Sequence, residues 1–290
     1  MSVVSCPLQR TDRFRCYRRL TTDHGQEPNG IEDLSSVNPL GTTRSRVAAD
    51  HALIAPDTHV WAPLPGWRGA TAAVHISPVM GARFTQATVV LETEGGCRAA
   101  TSGVERVVYP LEGRLRLTIA DASPHVLEPG DFAYLPAGRA HEMAAAAPSR
   151  IALFEKPYTA LDGVAAPEPV VGRVAEAEGV PFMGDEDARL QTLLPTDESF
   201  DMAVNVFTYQ PGAALPQVEI HVMEHGLLML DGAGVYRLGD SWYPVQAGDV
   251  IWMRSYCPQW FVAMGKEPAR YLYYKDVNRD PLAQRRCNNV

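Results

Sequence analysis

The run Glu219-Ile220-His221-Val222-Met223-Glu224-His225 places three metal-ligating side chains at i, i+2 and i+6, with Gly232 seven residues beyond His225. On a β-strand, residues two apart share a face. Glu219 and His221 are therefore expected to point together into a sheet or barrel interior. His225 has the same parity and can join them from the same strand or its turn. Glu224, of opposite parity, is expected to face outward and be solvated. Imidazoles combined with oxygen donors suit a borderline-to-hard divalent ion with open positions, such as Mn²⁺, Fe²⁺ or Ni²⁺. The absence of thiolate from this set argues against a structural zinc centre. Cys257 lies two residues before Gln259 and is expected on the same side, as a buried free thiol.

The elements that must position these residues read as strands. Segments such as 87–92, 114–119 and 249–253 are short, rich in β-branched or aromatic residues, and separated by Gly, Pro and Asp turns. Many evenly spaced strands suggest an all-β sandwich or barrel. The chain also repeats itself. Val104 to Gly113 reads against Met223 to Gly232 at an offset of 119 residues, and Leu127 to Tyr134 against Val245 to Trp252 at 118. One β-module is used twice. The segment from Ala165 to Asp187, rich in Pro, Gly and acids, is the natural connection.

The module resembles a cupin and the chain a bicupin, that is, two tandem jelly-roll-type β-barrels. In the N-terminal copy the second cupin motif is complete, as Gly130, Pro136, Gly138 and His141. The first motif has lost its ligands: Ala100, Ser102 and Arg106 stand where the C-terminal copy has Glu219, His221 and His225. One imidazole beside a fixed cation does not hold a divalent ion, so the first barrel is expected to be metal-free. Gln259 stands in register with His141 and becomes the fourth expected ligand. The expected boundaries are an N-terminal extension over 1–41, the first barrel over 42–165, a linker over 166–184, the metal-binding barrel over 185–282 and a tail over 283–290.

Glu-x-His-x3-His, the second-motif Gln259, the phrase Gly232-Ala233-Gly234-Val235-Tyr236 and the segment Tyr271-Leu272-Tyr273-Tyr274-Lys275-Asp276 together resemble the (S)-ureidoglycine aminohydrolase family over residues 42 to 282. That resemblance implies one Mn²⁺ per chain, held by Glu219, His221, His225 and Gln259. It implies ammonia removal from (S)-ureidoglycine to give (S)-ureidoglycolate in purine (allantoin) catabolism, by a homo-oligomer. Tyr236, Tyr271 and Lys275 would bind substrate, with Glu219 and Lys275 catalytic. Read without the family, Tyr236 and Tyr271 are core tyrosines and Lys275 an edge-strand charge. His141 and Arg106 could line a vestigial pocket, and the plainer reading of His141 is a satisfied core histidine. The rival functions are an Fe²⁺-dependent bicupin dioxygenase, whose two-histidine-one-carboxylate set resembles a facial triad, and a non-catalytic small-molecule-binding cupin.

Composition narrows the rest. A formal net charge of −8 argues against a nucleic-acid partner. Five scattered cysteines without CxxC spacing argue against a disulfide framework and fit a reducing, cytoplasmic setting. No apolar run is long enough to span a membrane. The arginine-rich start (Arg10, Arg13, Arg15, Arg18, Arg19) lacks a secretory apolar core and reads as a disordered extension, with organellar import left open. Lysine is rare, at Lys156, Lys266 and Lys275.

Overall fold

Runs of Val, Leu, Tyr and Thr form strands because β-branched and aromatic side chains fill a pleated surface, and glycines turn the chain where a side chain would not fit. Gly113 (φ +78°) and Gly232 (φ +72°) end corresponding strands, and a Cβ on either would lie 2.4–2.5 Å from the carbonyl oxygen of Pro148 or Pro268. The repeat read from sequence is thus a repeat of turn geometry. The computed structural model describes residues 43–100, 103–120 and 123–280, all within one unit spanning Asn38–Val290. The expectations for 1–41, for Ser102 and for 283–290 lie outside the described residues.

Two β-barrels of similar plan result. In the first, one sheet path runs Val170–Arg173, Asp131–Leu135, Val104–Glu112, Ser149–Pro157, Thr85–Ala100, Ala140–Ala145, Leu115–Ile119 and His125–Leu127. Arg68–Ile76 and Trp61–Pro63 extend it from Thr85–Ala100. The long strand Thr85–Ala100 bends at Glu94 (φ +62°) and so serves both walls of the barrel. In the second barrel an eight-stranded sheet runs Arg46–Val47, His51–Ile54, Val250–Met253, His225–Asp231, Ala269–Asp276, Met202–Tyr209, Asp185–Thr192 and Gly179–Phe182. A three-stranded sheet, Ser241–Gln246, Ala233–Leu238 and Gln259–Met264, forms the facing wall.

The strand pairing departs from a simple cut along the chain. His51–Ile54, expected in the first barrel, pairs with Val250–Met253 of the second. Val170–Arg173, expected in the linker, pairs with Asp131–Leu135 of the first. Each barrel thereby borrows a strand at one end of its sheet from the segment that leads into the other. Each loan is fastened at the same turn. Asp131 accepts from Arg173 Nε at 2.7 Å, and Asp249 accepts from both terminal nitrogens of Arg44 at 2.5 and 2.7 Å. The physical reason is edge protection: an unpaired sheet edge is covered by the nearest strand, whatever its place in sequence.

Alternate residues of each sheet serve two cores. Val89, Leu117 and Ile151 fill the first barrel, and Tyr209, Ile251 and Phe261 the second. The opposite faces meet between the barrels, where Phe84 stacks on Tyr274 at 4.1 Å and Trp252, Phe154 and Val204 are buried. Gly226 is required there, because a Cβ would stand 2.4 Å from the Phe84 ring.

Candidate metal centre and catalytic pocket

Strand alternation builds one wall of a pocket in the second barrel. Along Ala269–Asp276, Tyr271, Tyr273 and Lys275 turn into the barrel, while Leu272 and Tyr274 turn to the inter-barrel core. His225 opens the neighbouring strand directly opposite Lys275 in register. The opposite wall brings Tyr236 and Gln259. Glu219, His221, His225, Gln259, Tyr236, Tyr271 and Lys275, every site residue expected from sequence, line one cavity of about 110 Å³.

The backbone that carries the first two ligands differs from expectation. Residues 220–224 are not a strand, and Glu219 is held by an isolated bridge, with N–H···O bonds of 2.9 and 3.0 Å exchanged with Gln259. His221 is fixed through its carbonyl, which accepts from Tyr256 N at 2.7 Å. Glu219 and Gln259 are therefore neighbours by backbone pairing, and His221 reaches the same cavity from a loop. Glu224 also requires correction. Its parity is as read, but the outward face of its sheet is covered by the first barrel. Its carboxylate is 1% exposed and accepts from Trp252 Nε1 at 2.8 Å and Arg83 N at 3.0 Å. Lys275 lies on a central strand, which removes the edge-strand reading. Cys257 is buried but does not line the cavity.

Electrostatics and hydrogen bonding make the cavity a candidate cation site. His221 and His225 stack with ring centroids 4.8 Å apart, and Tyr273 stacks on His225 at 5.5 Å and 10°. Burial, then the neighbouring His221 and Lys275, holds His225 well below the ordinary imidazole value, so its ring is neutral and able to donate a lone pair. His221 is lowered by burial and by Lys275. Three buried atoms here lack any hydrogen-bond partner: His221 Nδ1, His225 Nε2 and Gln259 Oε1. Buried polar atoms are nearly always satisfied, and a divalent ion is the ligand that suits two imidazoles, an amide oxygen and a carboxylate together. Gln259 Nε2 stands 2.8 Å from His221 Nε2, and rotation of the amide exchanges its two ends. The residues present fit a metal.

Phenols form the floor. Tyr209 and Tyr271 hydroxyls are 3.0 Å apart, and burial raises the Tyr209, Tyr236, Tyr271 and Tyr273 phenols above their ordinary range, keeping them neutral donors. Burial lowers Lys275, opposed by Glu219, and burial raises Glu219, opposed by Lys275. Tyr273 was missed from sequence, although its parity with Tyr271 and Lys275 marked it. Phe182 and Leu190, which complete the wall, belong to the region around the expected linker and carried no such signal.

The first barrel answers the same positions differently. Arg106, equivalent to His225, donates from Nη1 to His141 Nε2 at 2.8 Å and pairs through Nη2 with Glu155 at 2.5 Å. His141 Nδ1 then donates to the Arg139 carbonyl at 2.9 Å. The residue opposite His141 in register is Ala99. The guanidinium thus stands where a metal ligand would, and His141 has both ring nitrogens engaged.

Two family models match the chain, a cupin domain over residues 205–274 and an EutQ-like cupin domain over 80–158. The chain is 39% identical to the (S)-ureidoglycine aminohydrolase of Arabidopsis thaliana, over 88% of this chain and 83% of the relative. It is 34% identical to the enzyme of that name from Escherichia coli, over 79% and 89%. The crystal structure of protein Ylba from E. coli superposes with a TM-score of 0.73 at 31% identity, covering 83% of this chain and 97% of that one.

Proposed function

Because this chain belongs to the (S)-ureidoglycine aminohydrolase family, we infer that it hydrolyses (S)-ureidoglycine to (S)-ureidoglycolate and ammonia. The observation that best supports the pocket as the place of reaction is the convergence of three partnerless buried donors beside Glu219 and Lys275. The dioxygenase and binding-protein readings gain no support from these relatives.

The substrate carries a carboxylate, a ureido group and an amine on one tetrahedral carbon. Water replaces the amine: a C–O bond forms, a C–N bond breaks, and the nitrogen leaves with an added proton as ammonia. Glu219, His221, His225 and Gln259 would hold one Mn²⁺, which when bound supplies a Lewis acid and an orienting template. Lys275, lowered by burial, gives up a proton more readily than an ordinary lysine. It is suited to pair with the substrate carboxylate or to protonate the departing nitrogen. Glu219, raised by burial, is suited to accept a proton from the attacking water as well as to ligate. Tyr236 and Tyr271, as neutral phenols, are suited to donate to urea or carboxylate oxygens. A rigid barrel wall fixes one face for the incoming water, as replacement at a stereocentre requires.

We further take the chain to act as a homo-oligomer in cytoplasmic purine (allantoin) catabolism. Trp242 (57% exposed) and Met264 (53%) leave apolar surface on the second barrel that self-association would cover. Among the described residues no helix is long and apolar enough to cross a membrane. The test of the reaction is ammonia release from freshly generated (S)-ureidoglycine by metal-stripped and Mn²⁺-reconstituted protein. Metal-dependent release above the spontaneous rate is expected. Release no faster than buffer with full Mn²⁺ occupancy would overturn the assignment.

A further inference from the structure

The second barrel has another group of metal-binding side chains, outside the pocket. Asp50, His51 and Cys257 each offer a donor atom, all within 4.8 Å of one another. His51 and Cys257 are both 4% exposed, while the Asp50 side chain keeps 45% of its surface in solvent. They come from two segments that the fold joins: the start of the borrowed strand His51–Ile54 with the turn before it, and the turn between Val250–Met253 and Gln259–Met264. The segments are already tied by Arg254 N donating to the Asp50 carbonyl at 2.9 Å.

The arrangement does not suit a Cys–His nucleophile. A base must aim a ring nitrogen at the thiol, yet His51 Nδ1 faces Asp50 Oδ1 at 2.8 Å and Nε2 faces the Tyr243 hydroxyl at 2.8 Å. It does suit a cation. An ion that takes Asp50 Oδ1 and His51 Nδ1 leaves the other ring nitrogen to donate to Tyr243, the outer partner that ligating imidazoles commonly have. Zn–S and Zn–N bonds of about 2.3 and 2.0 Å place donors on one ion within roughly 4 Å of each other. The half-exposed carboxylate leaves the group open to solvent on one side. One thiolate and one carboxylate neutralise a divalent charge, so holding it at a buried position leaves no net charge uncompensated.

We propose that Asp50, His51 and Cys257 form a zinc site that clasps the borrowed strand onto the second barrel. The donor set of sulfur, nitrogen and oxygen discriminates for Zn²⁺ over Mn²⁺ more strongly than the sulfur-free pocket does. The two sites of one barrel therefore differ in how sharply they select a metal. The clasp sits where it matters for the fold: the chain reaches His51–Ile54 from outside the barrel, and the strand lies second from a sheet edge.

Co²⁺ added to the metal-stripped full chain tests this, because only a thiolate ligand produces a sulfur-to-cobalt absorption in the near ultraviolet. The band should reach its limit by two equivalents per chain, one being taken by the pocket, bleach on Zn²⁺ addition, and be absent in Cys257→Ser. Tyr243→Phe should keep the band but weaken Co²⁺ affinity by about ten- to a hundredfold. Asp50→Asn, at a half-exposed turn, should weaken it too and leave Mn²⁺ content unchanged. No band in the unmodified chain, or a band that survives Cys257→Ser, would overturn the proposal.

Discussion

The two barrels place different charges at the same three positions. His225, Lys275 and Gln259 in the second correspond to Arg106, Glu155 and His141 in the first. His225 faces Lys275 in register as Arg106 faces Glu155. In the first barrel the cation is covalent: a guanidinium bonded to Glu155 and His141 and lying 5.3 Å over the Trp67 ring. In the second, three buried donor atoms lack a hydrogen-bond partner, and on the reading proposed above a divalent cation would be held by them. Backbone order follows. The strand opposite His141 is continuous through Ala99, whereas the segment opposite Gln259 keeps only the bridge at Glu219. A closed barrel can afford regular pairing on both sides, and a ligand-bearing one frees residues to reach its centre.

Between the barrels the correspondence persists with charges exchanged. Glu105 accepts from Tyr134 Oη at 2.7 Å, as Glu224 accepts from Trp252 Nε1 at 2.8 Å. Lys156 pairs with Asp201 in one half, and Asp276 with Arg83 in the other at 2.7 Å. Burial and the nearby Asp201 raise Glu105 above its ordinary range, and Lys156 with the Tyr134 hydroxyl oppose that shift. The lesson is that duplication preserved the buried polar frame, where an unpaired group is costly. The barrel centres were free to diverge.

Substitutions at matched positions should separate the halves most sharply. His221→Ala is expected to lose bound Mn²⁺ and reduce ammonia release to background, while His141→Ala leaves both within about twofold, since Arg106 keeps its Glu155 partner. Metal content by mass spectrometry, read beside the ammonia assay, checks the pair. Next in size is Lys275→Ala, expected to retain metal but lose about two to four decades of turnover. Lys275→Arg should rescue poorly, because guanidinium holds its proton at neutral pH. The matched change Glu155→Ala should leave turnover per folded molecule unchanged and cost about 3 kcal/mol of stability. That is the lower end for a broken buried pair, because Glu155 keeps some solvent contact. Turnover that falls in Glu155→Ala at full folding would break the division of labour.

Much of this was legible before the structure. Glycine spacing exposed the duplication because Gly113 and Gly232 each face a carbonyl that excludes a side chain. That the expected site residues share one cavity was legible from their types and repeat register, although Glu219 and His221 reach it from a bridge and a loop and not by strand parity. Parity alone cannot say what covers a sheet's outer face, which is why Glu224 was placed in solvent. It also cannot find residues recruited from distant segments. His51 and Phe182 reach the second barrel through borrowed or terminal strands, and strand exchange leaves no periodic trace.

Smaller effects probe the frame. Gly226→Ala drives a Cβ into Phe84 and should cost about 1–3 kcal/mol by overpacking, measured by denaturant unfolding. A pH effect is expected in the first barrel. Burial, with His59 adding to it, lowers His75 from 6.5 to about 3. Between those values the unfolded chain binds the extra proton, so stability rises with pH and is lost as pH falls below 6.5. His75→Gln should flatten the stability curve there by up to about 1.4 kcal/mol per pH unit. An unchanged slope in chemical unfolding from acid to neutral pH would remove this role for His75.

The account stands most directly on where manganese binds. Anomalous diffraction at the manganese edge, from crystals of the full chain grown with Mn²⁺, should show one site per chain, in contact with Glu219, His221, His225 and Gln259, and none beside Arg106 and His141. Manganese in the first barrel, or a second barrel empty at saturating Mn²⁺, would contradict it.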